Sequence, residues 1–178
     1  SLFRFSLSLD SNGGPVEVYE SAGGLGQFED NFSAPADLYT MIDELYEHLV
    51  KKSEGVYAEA GLQECVMDAA LAGILAHEAI GHTTEADLVL GGSVAGDYLG
   101  KQAASPLVTL VDIAHSYDGK HCPMPIYIDD EGTTARDVVV IEQGVLKGYM
   151  HNKQSARHFG VQPTGNARAY QYLDEPLI

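Results

Sequence analysis

Residues 2–9 set Phe3, Phe5, Leu7 and Leu9 against Arg4, Ser6 and Ser8. A period of two is that of a half-buried strand. Ser11-Asn12-Gly13-Gly14 follows, where Asn and Gly accept positive φ, and Pro15–Ser21 resumes as a strand, so the chain should open with a β-hairpin. Gly23-Gly24-Leu25-Gly26 reads as a flexible loop. The period then changes. Between Pro35 and Lys52, Leu38, Ile42, Leu45 and Leu49 share one face of an amphipathic helix, and Gly55 stops it. Leu62–Met67 reads as a short strand. Asp68 is placed to cap a second helix, from Ala69 to about Gly81. That helix is apolar nearly all round and is expected to be buried. Thr83–Leu90 predicts a short helix ending at Gly91-Gly92.

Beyond Pro106 the pattern is mostly that of strands. Leu107–Ile113 is β-prone, and Ile126–Ile128 leads into the turn Asp129–Gly132. Val138–Ile141 and Val145–Met150 flank Glu142-Gln143-Gly144 as a second hairpin. Asn152–Phe159 predicts a short helix stopped by Gly160. The fold class is therefore α+β. It comprises a mainly antiparallel β-sheet, one amphipathic helix and one buried helix, and residues 1–178 read as a single domain.

Charge narrows the partners. With 26 acidic and 10 basic residues the net charge is −16, which repels phosphate backbones and argues against direct nucleic-acid binding. The longest nearly unbroken apolar run, Ala69–Ala76, is far short of the roughly 20 residues that span a bilayer. No basic-then-apolar leader opens the chain, and a start at Ser1 reads as a processed or excised end. Cys65 and Cys122 are far apart in sequence and form no C-x-x-C, which fits reduced thiols in a cytoplasmic protein.

The chemistry concentrates in His77-Glu78-Ala79-Ile80-Gly81-His82. Imidazole is the commonest metal ligand, and a Glu beside a metal site is a standard general base. The pattern H-E-x-x-x-H points to zinc-dependent hydrolysis, with His77 and His82 as ligands and Glu78 as base. The spacing differs from H-E-x-x-H, whose histidines share a helix face. At i and i+5 the rings would stand roughly 140° apart on an ideal helix, so they can converge only if it is disturbed, and Gly81 offers the place. Zinc needs a third protein ligand. Glu85 is the nearest candidate, while Cys65, Cys122, His115, His121 and Asp129 have no support from spacing. The same residues also admit a hydrogen-bonded His/Glu pair sealing a helix end, or a binding module that clasps a peptide without cleaving it. Asp129–Gly132 lacks the ligand alternation of a calcium loop and reads as an acidic turn.

Residues 77–92 (HEAIGHTTEADLVLGG) resemble the TldD/PmbA family, also called modulators of DNA gyrase. Residues 127–160, the stretch PTGNARA (163–169) and the upstream VYESAGGLG extend the resemblance over most of the chain. It is the active, TldD-type branch that carries the histidine motif. The resemblance implies zinc-dependent proteolysis of short or unfolded peptides, with His77 and His82 on zinc and Glu78 as base. It further implies a homo- or hetero-oligomer with a TldD/TldE-like subunit. In the family the third ligand is a cysteine in a glycine-rich stretch nearer the C-terminus, which no part of this sequence matches. The chain is therefore expected to be a central segment of a longer protein, in which metal binding would be weakened.

Overall fold

The computed structural model describes residues 1–11 and 13–178, so the Asn12 part of the expected first turn lies outside the described residues. Where the sequence reads as one domain, the structure divides into two compact units, Ser1–Glu64 and Cys65–Ile178.

The first unit follows the hydrophobic pattern closely. β1 (Leu2–Ser11) pairs antiparallel with β2 (Gly14–Gly23), in register from Leu2↔Gly23 to Ser11↔Gly14. A short helix that the periodicity did not predict, α1 (Phe28–Phe32), is closed by a capping box between Gln27 and Asp30 and puts Phe32 against Phe3. Pro35–Leu38 forms a 3₁₀ turn into α2 (Tyr39–Ser53). Leu45 and Leu49 are the buried pair on the predicted face of α2, and Lys52 donates to the Glu17 carbonyl on β2 at 2.8 Å.

The stretch Leu62–Met67, which runs from the first unit into the second, pairs with no strand among the described residues. Leu62 and Val66 are fully exposed, and the strand expected at Leu62–Met67 does not form, because no neighbouring strand takes up its backbone groups. Asp68 caps α3 (Ala69–Leu75) as predicted, accepting from the Leu71 amide at 2.8 Å. α3 is not buried, in contrast to the expectation. Leu71 and Ile74 are more than half exposed, and no residue of α3 is buried. Apolar composition signals a helix that can be buried, but burial also needs a packed neighbour.

The core lies further along. α4 (Ala86–Leu90) and a 3₁₀ turn (Val94–Asp97) pack against an antiparallel sheet of β3 (Leu110–Asp112), β6 (Val138–Glu142) and β7 (Val145–Leu146), ordered β3-β6-β7. Between them in the chain a small hairpin forms from β4 (Ser116–Tyr117) and β5 (Lys120–His121). Val140, Ile141, Leu146, Ala86 and Tyr149 are the centre of the core, with Ile80 packed on it. The predicted hairpin across Glu142–Gly144 is present, but β7 stops at Leu146 rather than running to Met150. Likewise only Leu110–Asp112 of the β-prone run at 107–113 is strand. α5 (Lys153–Phe159) starts at the Asn152 cap and ends at Gly160 with φ +68. The α+β class and antiparallel pairing thus describe the molecule.

Asp129, buried in its turn, accepts from the amides of Glu131, Thr133 and Ala167, so its carboxylate is used within the fold. His151 is buried against Ser155, and its imidazole is held below the ordinary value of 6.5, first by burial and then by the charge of Arg136. A neutral ring in the folded state means stability that is present above the unfolded value and lost as pH falls below it. His151→Asn should therefore flatten the loss of stability between about pH 7 and about pH 5, read by chemical denaturation at each pH.

Gly144 has φ +82, and a Cβ there would overlap the carbonyl oxygen of Ser105 and the Gln102 side chain. Gly160 has positive φ but open space around it. Gly144→Ala should cost several kcal/mol, and Gly160→Ala only about 1 kcal/mol, measured as shifts in denaturation midpoint.

Candidate metal centre

The site is built on a change of helical hand-hold rather than a break. After α3 the chain widens into a π-helical turn, Ala76–Gly81, and then tightens into a 3₁₀ turn, His82–Thr84. The amide of His82 donates to the carbonyl of His77, an i→i+5 bond. Such a bond sets residue i+5 over residue i, which an α-helical turn cannot do. The His77 and His82 rings therefore lie on one side, with centroids 4.6 Å apart and planes inclined at 69°. Gly81 does not break the helix. Its φ of −51 and ψ of −65 are right-handed, and a Cβ would lie 4.0 Å from His77 Nδ1, an ordinary contact.

Widening a helix frees carbonyls at its end, and two threonines take them up. Thr83 Oγ1 donates to the Ala79 and Ile80 carbonyls, and the buried Thr84 Oγ1 to those of Ile80 and Gly81 at 2.7 and 3.0 Å. Ser93 Oγ donates to the Thr83 carbonyl at 2.7 Å. The chain is then tied to the core: the Met150 amide donates to the Thr84 carbonyl and the Ala86 amide to the Met150 carbonyl, with Glu85 held between them.

His77, Glu78 and His82 each offer a ligand atom, and these atoms lie within 4.8 Å of one another. Glu78 Oε2 is 3.8 Å from His82 Nε2, on a side chain that is 66% exposed. Glu85 is different. Its Oε1 is 2.7 Å from His82 Nδ1, and its side chain is only 15% exposed. Burial pushes the Glu85 carboxyl above its ordinary value, while the hydrogen bond and charge of His82 act in the opposite sense. Zinc bonds of about 2.0–2.2 Å place donors about 3.3 Å apart. The two imidazoles, whose ligand atoms lie within 4.8 Å of each other and of Glu78, have the donor chemistry that zinc takes. Among the described residues this is the only such group; Cys65, Cys122, His115, His121 and Asp129 lie outside it.

Beside the histidines is a cavity of about 400 Å³ whose wall includes His77, Glu85, Met150, Asp112 and Asn166. Asn166 Nδ2 donates to Asp112 Oδ2 at 2.7 Å, and Thr164 Oγ1 donates to Asn166 Oδ1 at 2.6 Å. Sequence reasoning singled out neither Asp112 nor Asn166 as a site residue. The stretch PTGNARA contains Asn166, but nothing in its spacing places it beside a helix 85 residues earlier in number.

A profile of the PmbA/TldA metallopeptidase C-terminal domain matches residues 60–178. The chain is 32% identical over 142 residues to a zinc metalloprotease TldD homolog of Saccharolobus solfataricus, covering 80% of this chain and 31% of that one. It is 40% identical over 122 residues to a metalloprotease TldD homolog of Haemophilus influenzae, covering 68% and 25%. The chain thus spans about a third or less of the length of these relatives. Its fold matches the crystal structure of TldE from Thermococcus kodakarensis with a TM-score of 0.64 at 18% identity, over 99% of this chain and 38% of that one.

Thr84→Val removes the hydroxyl at nearly constant shape. It should cost about 1–3 kcal/mol by taking a donor from the Gly81 carbonyl and leaving Ile80 only the Thr83 hydroxyl, whereas Thr84→Ser should cost less; thermal unfolding of the two variants measures the difference.

Proposed function

The chain belongs to the PmbA/TldA metallopeptidase family, and from this we propose that it carries the zinc-binding and proton-transfer residues of a TldD-like peptidase acting on short or unfolded peptides. The observation that carries the reading is the i→i+5 turn that gathers His77, Glu78 and His82. In this proposal His77 and His82 hold zinc. A bound zinc supplies Lewis acidity, lowering the pKa of a water and polarising a peptide carbonyl. Glu78, exposed and adjacent to both rings, takes the proton from the attacking water and returns it to the leaving amine. The third ligand is assigned to the family's cysteine, which this sequence does not contain.

Substrate binding follows from the sheet. Among the described residues β3 has a hydrogen-bonded neighbour on one side only, β6, and its residues Leu110–Asp112 share the cavity with His77. An extended peptide added at that edge would bind through its main chain, with little demand on its sequence. The acidic surface, at a net charge of −16, favours peptides over nucleic acid. Among the described residues no helix is long and apolar enough to cross a membrane. We assign the protein to the cytoplasm and to a homo- or hetero-oligomer with a TldD/TldE-like subunit.

Glu78→Gln in the full-length protein should leave zinc content unchanged and lower peptide cleavage by about 10²–10⁴-fold, the usual worth of a general base. His77→Ala should lower zinc content itself. Metal analysis beside a peptide-cleavage assay separates the two, and unchanged cleavage in Glu78→Gln would remove Glu78 from the mechanism.

A further inference from the structure

An imidazole has two nitrogens, and a metal site needs a particular one of them bare. Neutral histidine in water favours the form with the proton on Nε2. In His82 it is Nε2 that faces Glu78, at 3.8 Å, and Nδ1 that faces Glu85, at 2.7 Å. We infer that Glu85 is a positioning residue, whose carboxylate accepts the Nδ1–H of His82 and holds that ring in the tautomer with a bare Nε2 directed at Glu78. The inference rests on the metal reading above only in its consequence for zinc; the hydrogen bond and the tautomer belong to the chain itself.

Three observations support it. The first is distance: 2.7 Å is a direct hydrogen bond, shorter than the roughly 3.3 Å between two donors on a tetrahedral zinc, so Glu85 Oε1 does not share an ion with Nδ1. The second is fixation. Glu85 is held between two main-chain bonds to Met150, and its side chain is mostly buried, so the carboxylate has little freedom to leave the ring. The third is the division of exposure: Glu78 at 66% is open to a water and a substrate, while Glu85 at 15% is not. A carboxylate behind a ligating histidine fixes its orientation and raises its basicity.

The test uses the metal-free chain labelled with ¹⁵N-histidine, in long-range proton–nitrogen spectra at a pH where His82 is neutral. Loss of one signal set in His82→Gln assigns the ring. Wild type should show His82 protonated on Nδ1, Glu85→Ala should shift it toward Nε2–H, and Glu85→Gln should keep the Nδ1–H form, because the carboxamide oxygen still accepts. An Nε2–H ring in wild type, or no change in Glu85→Ala, overturns the inference. Zinc titration of the full-length protein then reads the consequence: Glu85→Ala should weaken binding about 10–100-fold, and Glu85→Gln should restore most of it. If Glu85→Gln is as weak as Glu85→Ala, Glu85 is a ligand and the positioning role is wrong. If the full-length wild type binds no zinc, the metal reading fails, and the tautomer spectra alone decide the role of Glu85.

Discussion

A single main-chain hydrogen bond, from the His82 amide to the His77 carbonyl, sets the geometry of the candidate site. With an i→i+4 bond in its place the two rings would diverge, and Glu78 would sit between groups unable to act together. The wider turn is not favourable by itself, since it leaves carbonyls at its end without helical partners. Thr83 and Thr84 satisfy those carbonyls, Ser93 satisfies the next one, and Ile80 anchors the turn in the core. The motif is thus longer than its candidate metal-binding letters. Its two threonines make the irregular helix affordable within a fold that leaves few buried polar groups unpaired.

Much of the fold was legible where a period met a matching partner. The hairpin of β1 and β2, the Leu45/Leu49 face of α2, the Asp68 cap and the Gly160 stop all follow from local rules acting on neighbouring residues. Readings that depended on distant partners fared worse. Leu62–Met67 has strand composition but no strand beside it, and α3 has the composition of a core helix but no packed neighbour. Propensity describes what a segment can do, and tertiary contact decides whether it does. The short α1 escaped notice because Gln27 and Asp30 hold it by a capping box too short for periodicity to register.

The site was legible in a different way. Residue types named the chemistry, and the awkward spacing of His77 and His82 required some departure from an α-helix. The form of that departure was not legible, because a π turn depends on which carbonyls the following hydroxyls and the Met150 amide can capture. Gly81 drew attention as a residue that permits unusual dihedrals, yet it adopts ordinary ones. The wall formed by Asp112 and Asn166 was invisible for a related reason: it is a product of sheet topology, and no local pattern encodes it.

In the proposed site the two glutamates of the motif take two roles by burial alone. Glu78 lies on the outer side of the turn, open to solvent. Glu85 follows the turn's return into the core, where Met150 fixes its backbone and its carboxyl meets the His82 ring at hydrogen-bond distance. Exchanging those environments would defeat both roles. A buried Glu78 would lose access to water, and an exposed Glu85 would hold the ring only as loosely as a surface pair does. The order of the letters therefore matters as much as their identity. The carboxylate inside the π turn faces outward with the histidines, and the one after the 3₁₀ turn faces inward behind them.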